Sequence, residues 1–239
     1  MAEIDWAEFA TGHLDSSHVA RGVSNAFARP NGGGNMAFGF RSLDALSVGS
    51  AGYYVNLANF IPFTGTKKGG VVSAAMKRYT AAAGYAPFIG IILDKDPTAN
   101  GYFLCLTDGT SYRIGLKKGS PNGGFESGGS GMLRESTAGY TYSGDTEGWF
   151  HLKLEVLVNP HGEVILNVEQ SDLAAHAVTA PSWAAVAGMG DYTDDSLGHL
   201  SGSAPYLQGF YAVMGMYVEN TSGVLALFDQ VIAERQTNP

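Results

Sequence analysis

The sequence predicts an all-β fold, a sandwich or barrel of short antiparallel strands. Three observations carry this expectation. The run GWFHLKLEVLVNPHGEVILNV (148–168) alternates apolar and polar residues on both sides of a turn, the mark of strands buried on one face. Strand-like runs punctuated by Gly, Asn, Asp or Pro recur from Met36 onward. The composition, with 33 Gly, 12 Tyr and 12 Phe in 239 residues and 45% hydrophobic residues, suits many turns around a sizeable core.

The first segment, residues 1–35, shows little alternation and ends in Pro30-Asn31-Gly32-Gly33-Gly34. It predicts an irregular N-terminal arm preceding a domain over 36–239. Ile4, Trp6 and Phe9 are its apolar anchors. They pack either on their own domain or, as oligomer contacts, on a neighbouring copy. Strands are expected in MAFGFRSL (36–43), GYYVNLANF (52–60), YAPFIGIILD (85–94), GYFLCLTDG (101–109) and SYRIGLKKG (111–119). The single cysteine, Cys105, reads as a small buried hydrophobe. Lys67-Lys68 and Lys117-Lys118 read as loop or strand-end charges. The glycine-rich stretch 117–132 reads as a flexible surface excursion without a phosphate-loop pattern.

The most specific element is the hairpin. Pro160 pre-sets the turn Asn159-Pro160-His161-Gly162, and Gly162 takes the left-handed position that closes it. That turn sets Val158 opposite Val164 and Val156 opposite Leu166, with all even positions on one face. His151, Lys153 and Glu155 fall on the polar face, where His151 needs no special role. Beyond the hairpin, PSWAAVAG (181–188) is expected to form one or two helical turns with Ser182 as N-cap. LQGFYAVMGMYVE (207–219) and VLALFDQVIAER (224–235) complete the strands.

The order of these strands, the run Trp149-Phe150-His151-Leu152-Lys153-Leu154 ahead of a hairpin, and the terminal ALFDQVIAE strand resemble the concanavalin A-like lectin/glucanase superfamily, laminin-G-like domains included. In that family the last segment commonly reads aromatic-Phe-Asp-Asn-Val; here Gln230 replaces the Asn. The resemblance covers roughly residues 36–235 and implies a jelly-roll β-sandwich of two antiparallel sheets. The N-terminal segment resembles virion proteins of tailed bacteriophages.

The hydrolytic members of the superfamily carry Glu-x-Asp-x-x-Glu on one strand, which a retaining mechanism uses as two carboxylates about 5 Å apart. That spacing is absent here, and Asp145/Glu147 read as a charged loop. Oxygen ligands for calcium are offered by Asp191, Asp194 and Asp195, and by Asp94, Asp96 and Asn100; solvated turns are the other reading. The six histidines form no HxxxH or HxH pair, which argues against zinc. Tyr140, Tyr142, Trp183, Tyr192 and Tyr206, with Tyr53 and Tyr54, lie in or near turns. They could stack on sugar rings or serve protein interfaces.

A formal net charge of -8 excludes a basic nucleic-acid footprint. No export signal and no membrane-spanning run are apparent. Charged residues make up only 15%, which suits either a surface covered by other subunits or an ordinary glycine-rich β-protein. Together these features lead to the expectation of a non-enzymatic structural or attachment component of a phage-like particle. It would be a homo-oligomer or bound to other virion proteins, located in a virion assembled in the host cytoplasm, without an obligatory cofactor. The alternatives are a carbohydrate-binding, lectin-like module that meets a surface glycan, and a glycan hydrolase or lyase.

Overall fold

The computed structural model describes the backbone of residues 4–5, 18–21, 26–31, 35–41 and 50–61. It further describes residues 69–80, 82–93, 100–121, 123–141, 148–171, 181–195, 204–206, 210–219, 221 and 223–236. The described residues contain strands and turns but no helix, and no helix is long and apolar enough to cross a membrane. The first strands are β1 (Ile4–Asp5), β2 (His18–Arg21), β3 (Ala26–Asn31), β4 (Asn35–Arg41), β5 (Ser50–Ile61) and β6 (Gly69–Arg78). Next come β7 (Tyr85–Ile92), β8 (Gly101–Leu106), β9 (Ser111–Tyr112), β10 (Ile114–Gly119), β11 (Met132–Glu135) and β12 (Tyr140–Thr141). The last are β13 (Trp149–Val158), β14 (Val164–Ser171), β15 (Ala184–Ala185), β16 (Asp191–Asp194), β17 (Phe210–Val218) and β18 (Leu225–Gln236).

Two large antiparallel sheets form a jelly-roll sandwich. One runs β15-β14-β13-β6-β18-β4-β3, with β1 also paired to β18 and β16 to β14. The other runs β11-β10-β8-β7-β17-β5-β2, and β9 and β12 make a small third sheet. The core lies between the large sheets. From the first sheet come Val72, Met76, Leu152, Leu154, Val156, Leu166 and Phe228; from the second come Ile89, Leu104, Leu116 and Met214. Burying each large apolar side chain stabilises the fold by about 1.5–3 kcal/mol.

The hairpin follows its turn chemistry. Val158 pairs with Val164 and Val156 with Leu166. Gly162 has φ 79°, the Asn159 amide donates to the Glu163 carbonyl at 3.0 Å, and Asn159 Oδ1 accepts from the amides of His161 and Glu163. The even residues from Leu152 to Val156 and from Val164 to Val168 are buried against the core.

Four expectations change. Residues 1–35 are not wholly irregular: β1 pairs with β18, β2 with β5 and β3 with β4, so their described strands extend both sheets of the same chain. PSWAAVAG is not helical; Ala184 and Ala185 pair with Gln170 and Glu169 at the edge of β14. An extended edge satisfies these backbone groups against a strand already in place. Lys117 and Lys118 are not strand-end charges but are both buried, on opposite faces of β10. The glycine-rich stretch is not a pure surface excursion. It turns Phe125 onto the outer face of the second sheet, stacked on Phe88 at 5.1 Å and edge-on to Phe103 at 6.0 Å. Lys117 Nζ lies 4.7 Å over that ring and donates to the Gly124 carbonyl.

His151 is a fifth correction. Period-two alternation reads its face as solvent, but Trp183 folds over it, ring centroids 4.8 Å apart, and leaves the imidazole 3% exposed. Among the described residues neither ring nitrogen has a hydrogen-bond partner, and burial pulls the pKa down to about 4. In the unfolded chain an imidazole titrates near 6.5. Between about 4 and 6.5 the unfolded state therefore binds more protons, and stability falls as pH falls through that window. The unfolding free energy from urea titrations should fall from pH 7 to pH 5 by about 2 kcal/mol more in the native chain than in His151→Leu. An unchanged pH dependence in His151→Leu would exclude this role.

Candidate functional site

A cleft of about 170 Å³ opens where β6 ends, β7 begins and β8 turns toward β9. Arg78, Thr80, Ala82, Gly109, Thr110, Tyr112 and Thr141 line it. Arg78 closes β6, the central strand of the first sheet, whose ten residues are all buried. Its Nη1 donates to the carbonyls of Thr107 and Gly109, both at 2.7 Å, and its Nη2 donates to the Ala82 carbonyl at 2.5 Å. One guanidinium thus ties the β6–β7 loop to the β8–β9 turn. That turn requires a glycine: Gly109 has φ 126°, and a Cβ there would stand 2.9 Å from the Ser111 carbonyl oxygen.

Aromatic rings frame the cation. Arg78 Cζ lies 4.4 Å from the ring centre of Tyr85 and 4.9 Å from that of Tyr112. Tyr112 packs edge-on against Phe150 at 5.9 Å, and Tyr140 meets Phe150 at 4.7 Å. β9 and β12 set Tyr112 beside Tyr140 and Ser111 beside Thr141. Burial raises the pKa of Tyr85, Tyr112 and Tyr140, with the Arg78 charge opposing the shift at the first two. All three hydroxyls stay protonated at neutral pH. The cleft therefore joins a buried cation to the exposed hydroxyls of Thr110 and Thr141, which suits a small polar ligand.

None of the described aromatic candidates lines this cleft; Tyr140 packs on its Tyr112, ring centres 6.0 Å apart, and Tyr142 lies outside the described residues. Trp183 is half-buried on the far face of the first sheet, over His151 and with Lys153 Nζ 5.0 Å from its ring. Tyr192 is a core residue, not a turn aromatic, because β16 alternates it inward. Tyr206 packs on Tyr102 at 5.3 Å, and its amide donates to the Tyr102 hydroxyl at 3.0 Å.

Asp191, Asp194 and Asp195 do not form one ligand set. Asp191 is exposed, and Asp194 points into the core, fully buried. There Asp194 Oδ2 takes a 2.7 Å ion pair from Lys118 and a 2.5 Å hydrogen bond from the Tyr102 hydroxyl. Among the described residues no group of three or more His, Cys, Asp or Glu could hold a metal ion. Asp94, Asp96, Asp145, Glu147, Trp6 and Phe9 lie outside the described residues. Ile4 is described only through its backbone, which pairs with Ala233 of the same chain. Cys105 is buried as expected, its thiol pushed up to about 12 by burial.

Arg78 and Tyr112 were not singled out from the sequence. The available signal was an arginine after an apolar run, in VVSAAMKRY, but that run lacks alternation and does not read as a strand.

No protein-family model and no curated protein matches the sequence. Among solved structures, the chain is similar to the Crh5 transglycosylase in complex with NAG. The TM-score is 0.52 at 10% identity, covering 99% of this chain and 84% of that one. The apo Crh5 transglycosylase gives 0.51 at 9% identity with the same coverage. A legume lectin-like domain from Entamoeba histolytica gives 0.49 at 10% identity over 92% of this chain and 90% of that one. At these identities the likeness shows the fold alone, a two-sheet antiparallel jelly-roll sandwich.

Proposed function

We propose that this chain is a non-enzymatic carbohydrate-binding module that holds a saccharide in the Arg78–Tyr112–Thr141 cleft. The observation that carries this reading is the lining itself. It combines hydroxyls, an aromatic ring and a fixed cation, the groups that orient a sugar, and among the described residues it includes no carboxylate. Glycoside hydrolysis requires a pair of carboxylates about the scissile bond, so the lining favours binding over cleavage. The volume is below the roughly 300–1,000 Å³ of pockets for drug-sized ligands, which suits one ring or a chain end. The similar Crh5 transglycosylase was solved with NAG, so a sandwich of this kind is compatible with a sugar ligand. None of the three similar structures is a virion component, and the expected particle role has no observation on its side.

A glycan array supplies the test. The native chain should retain a defined set of saccharides, and Thr141→Trp should lose them by filling the cleft. Thr141 is exposed, so the variant should keep its urea midpoint. Binding that survives Thr141→Trp would move the site elsewhere.

A further inference from the structure

Arg78 is a cation withdrawn from solvent, 3% exposed, with no ion pair among the described residues. Its described partners are three backbone carbonyls and the Tyr85 hydroxyl, which are dipoles and carry no net charge. A buried charge without a counter-charge is costly to desolvate, and an anion beside it removes much of that penalty. Of the five N–H donors of a guanidinium, the three bonds occupy both on Nη1 and one on Nη2. The Nε–H and one Nη2–H have no described carbonyl acceptor, and the neutral Tyr85 hydroxyl is their hydrogen-bonding neighbour. These nitrogens share one edge of the group, the edge that a carboxylate bridges with two parallel hydrogen bonds.

We infer that the ligand of the cleft is an acidic saccharide, a uronic acid or another carboxylate-bearing sugar, whose carboxylate meets Arg78. The inference rests on the saccharide reading of the cleft and adds its charge. Thr110 and Thr141 are exposed on the walls and supply hydroxyls for the sugar's own hydroxyls, while the buried Tyr112 lines the cleft beside them. The overall charge of -8 opposes an anion at long range. At physiological salt that repulsion is screened beyond about 8 Å, and the adjacent guanidinium decides.

The test is calorimetric titration with oligomers of galacturonate, glucuronate and mannuronate, each beside its carboxyl-reduced neutral counterpart. At least one acidic oligomer should bind about tenfold more tightly than its reduced form, as a charge-assisted pair requires. Arg78 is unsuited to substitution because its bonds hold two turns together. Thr110→Glu and Thr110→Gln, equal in size and different in charge, replace it. Thr110→Glu should bind the acidic oligomer about tenfold more weakly than Thr110→Gln, through like-charge repulsion. Equal binding by these two variants would overturn the inference. If reduced oligomers bind as tightly as acidic ones, the saccharide site stands and the acidic preference falls. If no acidic oligomer binds while the array retains neutral saccharides that Thr141→Trp loses, the inference falls and the saccharide site stands; if the array retains nothing either, both fall.

Discussion

Val156→Asp should unfold the protein or lower its stability by at least about 4 kcal/mol, whereas Glu155→Ala should lower it by about 1 kcal/mol. The two residues are neighbours on one strand. Val156 is fully buried, paired with Leu166 on one side and Gly70 on the other, inside the apolar core. A carboxylate there meets no donor and must be buried unpaired or stay protonated. Glu155 faces outward, half-buried, and its described bond is from Asn167 Nδ2 at 2.6 Å. A net stability of about 5–15 kcal/mol is typical of a domain, so the first loss is decisive and the second is tolerated. Comparable urea midpoints for the two variants would refute the assignment of faces in β13.

The second large effect is expected at the other buried polar centre. Asp194→Asn removes the described counter-charge of the Lys118 ammonium between the sheets, and should destabilise by about 3–5 kcal/mol. Lys118 also donates to the Ala204 carbonyl at 2.9 Å and lies 5.0 Å over the Tyr206 ring. Neither contact replaces the lost charge. Removing both charges, in Lys118→Met with Asp194→Leu, should cost less than Asp194→Asn alone, because an apolar pair has no such desolvation penalty. Tyr102 would still lose the described acceptor of its hydroxyl, so recovery should be incomplete. Additive losses across this double-mutant cycle would show that the two groups are not coupled.

The elements legible in the sequence are those where local and global requirements coincide. The β13–β14 hairpin is buried on one face and closed by a turn with its own chemistry, so period and register both appear in the residues. β6 is the opposite case. It is buried on both faces, so Gly69-Gly70-Val71-Val72-Ser73-Ala74-Ala75-Met76 shows no alternation and no turn marks its register. The paired lysines were misread for a related reason. A strand sends Lys117 and Lys118 to opposite faces, and what covers each face is tertiary: the Phe125 loop over one, Asp194 opposite the other. The cleft was hidden because its walls come from the end of β6 and from three turns or short strands. The pairing of β9 with β12, the bonds of Arg78 and the bond from the Gly84 amide to Asp108 Oδ1 bring them together.

The central claim is that the cleft is where a saccharide sits, and amide shift mapping of the labelled chain tests it most directly. Titration with an oligosaccharide retained on the array should perturb the amides of Thr80, Ala82, Gly109, Thr110, Tyr112 and Thr141 as one saturable set. Perturbations confined to the Phe125 face, or to the Trp183 side of the first sheet, with the cleft amides unmoved at saturation, would contradict it.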